Sequence, residues 1–399
     1  SNDLHMLRAI LRRGRGFRRP CTGGTILSRS PGRTFSSDPL ARVTMGQDVN
    51  GNAHVPQHQR PRRNRKTEAI RSMVRETIVT PQNLVLPLFV HDKDKSEPIS
   101  AMPGCSRHSI DSLLKEVGEA LELGVNHFVI FPKIADNLKD NLGTAAMDPK
   151  GLVPTCVRAV KSKFPNAYMW TDVALDPYSD RGHDGVLSND SLHGDDGHAR
   201  ILNDLTVEQL CKQALCHAQA GCDVISPSDM MDGRVGAIRE TLDTHGYSDV
   251  SIVSYTAKYA SGFYGPFREA LDSAPRATSS QNQDTAAAPP PNKKTYQMDP
   301  ANKREALREA LLDEQEGADM LMVKPGLPYL DIILLLKEET QLPIAAYQVS
   351  GEYAMLKAAA LNGWIDEKAA VLETLTCFKR AGASCILTYY AKDAARWLR

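Results

Sequence analysis

Two lysines close apolar runs in this 399-residue chain: Lys258 follows IVSYTA and Lys324 follows ADMLMV. A surface lysine is a solvated cation, but an ammonium ending a run as apolar as MLMV is poorly hydrated, and desolvation favours its neutral form. If the two runs are neighbouring strands, the amines stand close together. Unit charges about 6 Å apart at an effective dielectric of about 20 repel by roughly 3 kcal/mol, or about two pKa units. Both effects give an amine that is neutral near pH 7, the form that attacks a ketone to make a Schiff base. The chemistry read from these residues is that of a lysine-dependent carbonyl enzyme of aldolase or dehydratase type. A class I aldolase needs one such lysine, so a dispensable Lys258 would favour it. A barrel retained only as a binding scaffold has no use for either lysine.

The elements that must position these amines follow from the hydrophobic pattern. From residue 84 onward, short apolar runs alternate with longer amphipathic ones. Strands are expected at 84–90, 127–132, 168–175, 223–227, 251–256, 320–323, 344–349 and 384–390, with Lys258 just beyond the fifth and Lys324 ending the sixth. Helices are expected between them, at 110–123, 153–164, 206–220, 235–245, 300–316, 329–340 and 353–381, the last broken near Asn362 and Gly363. Eight strands alternating with helices is the pattern of an α/β protein of the (β/α)8 TIM-barrel class, whose active sites lie at the carboxyl ends of the strands. An open doubly wound sheet shares the pattern, because counting strands does not establish closure. Neither G-x-G-x-x-G nor a P-loop follows the first strand, so nucleotide binding has no support.

The charge is unevenly spread. Residues 1–66 hold 14 Lys+Arg against three acids, and the remainder holds 34 against 45. A mildly acidic body speaks against a nucleic-acid enzyme. The basic, Ser- and Pro-containing head, without helical or strand period, reads as an organelle-targeting segment over 1–40 followed by an N-terminal arm over 41–80, with the barrel at 81–399. Eight scattered cysteines form no CxxC pair and no Cys/His cluster, and no stretch approaches the roughly 20 apolar residues of a membrane span. A long polar segment at 176–204 reads as functional, and the low-complexity SSQNQDTAAAPPPN stretch, over about 277–291, as an insertion.

Six segments in order, SDMMDGRVGAIR, YTAKYASGFYGPFREA, KKTYQMDPANKREAL, GADMLMVKPGLPYLDII, YQVSGEYAM and LTYY, resemble the porphobilinogen synthase (5-aminolevulinate dehydratase) family over about residues 67–399. The insertion before Lys293 departs from the compact loop expected there. The resemblance implies that two 5-aminolevulinate molecules condense to porphobilinogen with loss of two waters, in heme and chlorophyll biosynthesis. Lys324 would form the Schiff base with the molecule that supplies the propionate side, and Lys258 with the other. Arg268 and Lys293 would bind one substrate carboxylate, Ser350 and Tyr389 the other.

In the stretch TDVALDPYSDRGHDG, zinc-dependent members carry three cysteines, whereas this chain has Ala174, Asp176 and Asp184. Carboxylates suit Mg²⁺ and thiolates select zinc, so the resemblance implies the aspartate-rich, plant-like branch, with no zinc. Asp176 and Asp184 are candidate ligands of a weakly held Mg²⁺, and Asp172 a neighbour that handles protons; the aspartates acting without metal is the alternative. Glu309 matches the carboxylate that holds a regulatory Mg²⁺ in magnesium-responsive members. The resemblance further implies a homo-octamer assembled through the arm, no nucleic-acid or membrane partner, and a plastid address in preference to a mitochondrial one.

Overall fold

A computed structural model describes residues 46–54, 59–188, 198–275 and 288–399, in two compact units that divide between Val74 and Arg75. The expected targeting segment 1–40, the first residues of the arm and most of the insertion at 277–291 lie outside the described residues. In the first unit, Gly46–Gln47 pairs antiparallel with Ala53–His54, a 3-10 turn covers Pro61–Arg65, and a short helix runs over Glu68–Met73. The Thr67 hydroxyl caps that helix by accepting the Ile70 N–H at 3.4 Å, and neither helical element buries a side chain.

The second unit is built on eight parallel strands: β1 (Leu84–Val90), β2 (His127–Pro132), β3 (Tyr168–Val173), β4 (Val224–Pro227), β5 (Ser251–Lys258), β6 (Met320–Lys324), β7 (Ile344–Gln348) and β8 (Ala383–Thr388). Each pairs with the next, and the ring closes because Ile386 and Leu387 of β8 pair with Leu84 and Val85 of β1. Closure distinguishes the barrel from the open sheet. The strands are buried along almost their whole length, β1 completely, which is why they read as continuous apolar runs and not as alternating ones.

Helices follow the strands: α1 (Ile110–Glu122), α2 (Leu152–Lys163), α3 (Asn203–Gln219), α4 (Arg234–Thr244), α5 (Gly265–Leu271), α6 (Arg304–Gln315), α7 (Leu330–Glu339), α8 (Ser350–Leu361), α9 (Glu367–Ala381) and α10 (Ala391–Trp397). The expected break falls between α8 and α9, where Gly363 takes a φ of 71° and Asp366 caps α9 by accepting the Ala369 N–H at 2.6 Å. The helices α5 and α10 are each seven residues long, too short to register as a 3.6-residue period. Strand ends shift in one place that matters: β5 runs through Lys258 and does not stop at residue 256, because the ladder to β6 continues with Ala257 opposite Val323 and Lys258 opposite Lys324. Among the described residues no helix is long and apolar enough to cross a membrane.

Candidate active site

The register of β5 and β6 brings Lys258 and Lys324 side by side at the carboxyl rim, each 5% exposed. Their surroundings differ. Four aromatic rings face the Lys324 amine, with centroids 4.8 Å (Tyr347), 4.9 Å (Tyr255 and Phe267) and 5.4 Å (Tyr264) from Nζ. Ring faces attract a cation, yet burial, reinforced by the charge of Lys258, pushes this amine down to about 7, against the pull of Asp172, Asp176 and Asp184. Lys258 instead donates to the backbone carbonyl of Ser228, at the end of β4, and meets Asp184 Oδ1 at 3.3 Å.

The aspartates come from β3 and the polar segment after it. Asp172 lies on β3, where burial pushes its carboxyl up to about 7 against the two lysines, and its Oδ1 is buried without a hydrogen-bond partner. Asp184 is held well below the usual carboxylate range: burial opposes its ionisation, but Lys258 and Lys293 overcome it. Lys293 bridges Asp176 at 3.3 Å and Asp184 at 3.0 Å, and the two carboxylates hold its pKa up against burial. Asp172 on β3 is therefore a carboxyl poised to take a proton, and Asp184, in the segment after β3, is fixed as an anion.

Both lysines, Arg268, Lys293 and the three aspartates line one cavity. Arg268, on α5, has its guanidinium 5.9 Å from the Tyr264 ring centroid. Ser350 and Tyr389 are not among the residues that line that cavity, and each is tied to it through a neighbour. The Ser350 hydroxyl accepts the Phe267 N–H at 3.0 Å, and the Tyr389 hydroxyl is 2.9 Å from that of Tyr347, whose ring faces Lys324. Glu309 lies on α6 in a second cavity, with Met231, Asp232, Tyr296, Asp299 and Glu305; Gln297 lines both cavities. The sequence reading missed the aromatic box, although YTAKYASGFYGPF is conspicuously ring-rich. It also missed the Ser228 carbonyl, which no side-chain pattern reveals.

The profile of the family described as delta-aminolevulinic acid dehydratase matches residues 58–397. The chain belongs to that family. It is 58% identical over 340 residues to the chloroplastic delta-aminolevulinic acid dehydratase of Physcomitrium patens, covering 85% of this chain and 74% of that one. The corresponding protein of Chlamydomonas reinhardtii is 54% identical over 341 residues, covering 85% and 84%. The solved structure of the Toxoplasma gondii dehydratase, determined in complex with the reaction product porphobilinogen, has a TM-score of 0.81 and 54% identity, covering 88% of this chain and 95% of that one. The (β/α)8 class and the plant-like kinship expected from the motifs stand, and with relatives named chloroplastic this dehydratase is a plastid protein.

The two candidate cation positions of the dehydratase differ in electrostatics. At Asp176 and Asp184 the negative charge is already met by the ammonium groups of Lys293 and Lys258, so this pair does not fit a resident divalent cation. At Glu309, burial is the main cause that raises the carboxyl pKa; Arg234 opposes the rise, and Asp313, Asp232 and Glu305 add to it. Oxygen donors of this kind fit Mg²⁺, which binds through one or two carboxylates and keeps its waters. Among the described residues no three His, Cys, Asp or Glu side chains converge as a ligand set, so water would complete the shell at Glu309.

Proposed function

We propose that Lys324 and Lys258 are the two Schiff-base lysines through which this dehydratase condenses two molecules of 5-aminolevulinate to porphobilinogen, with loss of two waters. The observation that carries this is the register pair itself, two buried amines side by side with that of Lys324 pushed down to about 7. A neutral Lys324 attacks the ketone of the first molecule and expels one water as the iminium forms. The cation so produced faces the four rings that faced the amine. Lys258 is ion-paired and must lose a proton before it attacks. Asp184 is too acidic to take that proton, whereas Asp172, at about 7, matches the task. With the second iminium in place and the second water lost, carbon–carbon and carbon–nitrogen bonds form between the two molecules and both lysines are released. Borohydride reduction in the presence of 5-aminolevulinate tests this: substrate mass on Lys324 supports the reading, and labelling elsewhere with Lys324 untouched overturns it.

Arg268 and Lys293 suit one substrate carboxylate, since a charged donor to a carboxylate makes a strong hydrogen bond; Lys293 would exchange Asp176 and Asp184 for it. Ser350 and Tyr389 suit the other. Asp176 and Asp184 act in this reading as counterions of lysines. Glu309 holds a regulatory Mg²⁺, and the segment around residues 41–80 joins the chains of an octamer. The absence of any buried side chain in the two helical elements of that segment supports docking on a second copy.

A further inference from the structure

One buried chain of hydrogen bonds is not used by this chemistry. His183 has no exposed surface; its Nε2 lies 3.0 Å from the Pro290 carbonyl oxygen and its Nδ1 3.0 Å from the Tyr296 hydroxyl. The same hydroxyl lies 3.3 Å from the backbone N–H of Asp184. The two ends fix the sense of the chain. A carbonyl only accepts, so Nε2 carries the ring proton and donates to Pro290. Nδ1 is then a bare lone pair and receives the Tyr296 O–H, while the Asp184 N–H, which only donates, finds the Tyr296 oxygen as acceptor. Every donor is matched when the ring carries a single proton, on Nε2.

This chain joins the two segments that hold the Lys293 ammonium. Asp184, at one end, carries the carboxylate 3.0 Å from Lys293 Nζ. Pro290 and Tyr296 flank Lys293 in sequence, and the N–H groups of Tyr296 and Gln297 turn back to the Lys293 carbonyl at 3.4 Å and 2.9 Å. A lysine has a long flexible stem, so its ammonium rests where its backbone lets it reach and where its counterions stand; this chain ties down both, the backbone around Lys293 through Pro290 and Tyr296 and the counterion Asp184 through its own N–H.

We infer that His183 and Tyr296 are positioning residues for substrate recognition, which hold the Lys293 ammonium where a 5-aminolevulinate carboxylate reaches it. The inference rests on the reading of Lys293 as a carboxylate partner. Steady-state kinetics of Tyr296→Phe, His183→Gln and His183→Asn, beside Lys293→Ala, separate the two. Gln keeps a donor for Pro290 and loses the acceptor for Tyr296; Asn keeps an acceptor near Nδ1 and loses the donor. Tyr296→Phe is expected to raise KM by about tenfold, the size of one lost buried hydrogen bond beside a charge, with kcat changing less than about threefold. His183→Gln should reproduce that rise, and His183→Asn should stay nearer the parental KM. An unchanged KM in Tyr296→Phe beside a raised KM in Lys293→Ala overturns the positioning role alone. An unchanged KM in Lys293→Ala overturns the reading on which it rests, and the inference with it. A lowered thermal midpoint with parental KM would make the chain purely structural and also overturn it. Solid-state ¹⁵N spectra of the histidine-labelled parent enzyme, assigned by the signal lost in His183→Asn, test the chain without perturbing the fold: a neutral Nε2–H ring is expected, and an Nδ1–H ring or an imidazolium contradicts it.

Discussion

Lys258 and Lys324 are register partners on adjacent strands, yet the amine of Lys258 meets a carboxylate and that of Lys324 meets four aromatic rings. Neighbouring positions on a ladder are thereby given unlike surroundings, one ionic and one aromatic.

Because the Lys324 amine titrates at about 7, the single-turnover rate of Schiff-base formation should fall about tenfold per pH unit well below 7 and level off above it. Rapid-quench trapping with borohydride across pH 5–9, where a flat profile would contradict the depressed amine, measures this.

The same shift bears on stability. Between about 7 and the ordinary lysine value of 10.5, the folded Lys324 binds fewer protons than the unfolded one, so stability due to this group rises with pH across that window. Below about 7 both states are protonated and the burial penalty is fully felt. Lys324→Met removes the charge at similar volume and should be more stable than the parent at pH 7 by on the order of 1–3 kcal/mol, with the advantage shrinking by pH 10. Thermal midpoints at the two pH values decide it, and a less stable Lys324→Met at pH 7 rules it out.

Asp184 serves two lysines and Asp176 serves one. Asp184→Asn leaves two buried ammonium groups short of a counterion and should cost about 3–5 kcal/mol, together with most of the turnover. Asp176→Asn leaves Lys293 paired to Asp184 and should cost less. Denaturation midpoints and kcat of the two variants give the order, and the reverse order refutes the assignment.

For Glu309, added Mg²⁺ should raise activity and the fraction of the largest assembly together, and Glu309→Ala should abolish both responses. A ligand shifts an assembly only through its differential affinity for the two states. Sedimentation velocity and initial rates on one magnesium series check this, and an undiminished response in the variant would return Glu309 to an ordinary helix carboxylate.

The sequence by itself determined the eight-strand count, the carboxyl-end placement of both lysines, and the residues Arg268, Lys293, Ser350, Tyr389, Asp176, Asp184 and Glu309 as candidates. Apolar runs and ordered motifs are local signals, and each is written in a few consecutive residues. The tertiary structure decided what depends on distant pairings. It closed the ring through Ile386 and Leu84, separated by some 300 positions in the chain, and it extended β5 to Lys258 because Lys324 supplies the opposing register. It gave Asp176 and Asp184 to lysines, since Lys293 reaches them from a segment more than 100 residues away. The aromatic box follows the same rule: Tyr255, Tyr264 and Phe267 are near in sequence, but only the packing of β5, β6, β7 and α5 brings them and Tyr347 around one amine. A residue's type is local, whereas its dielectric surroundings and its partners are set by the whole fold, and it is these that set how readily a lysine gives up its proton.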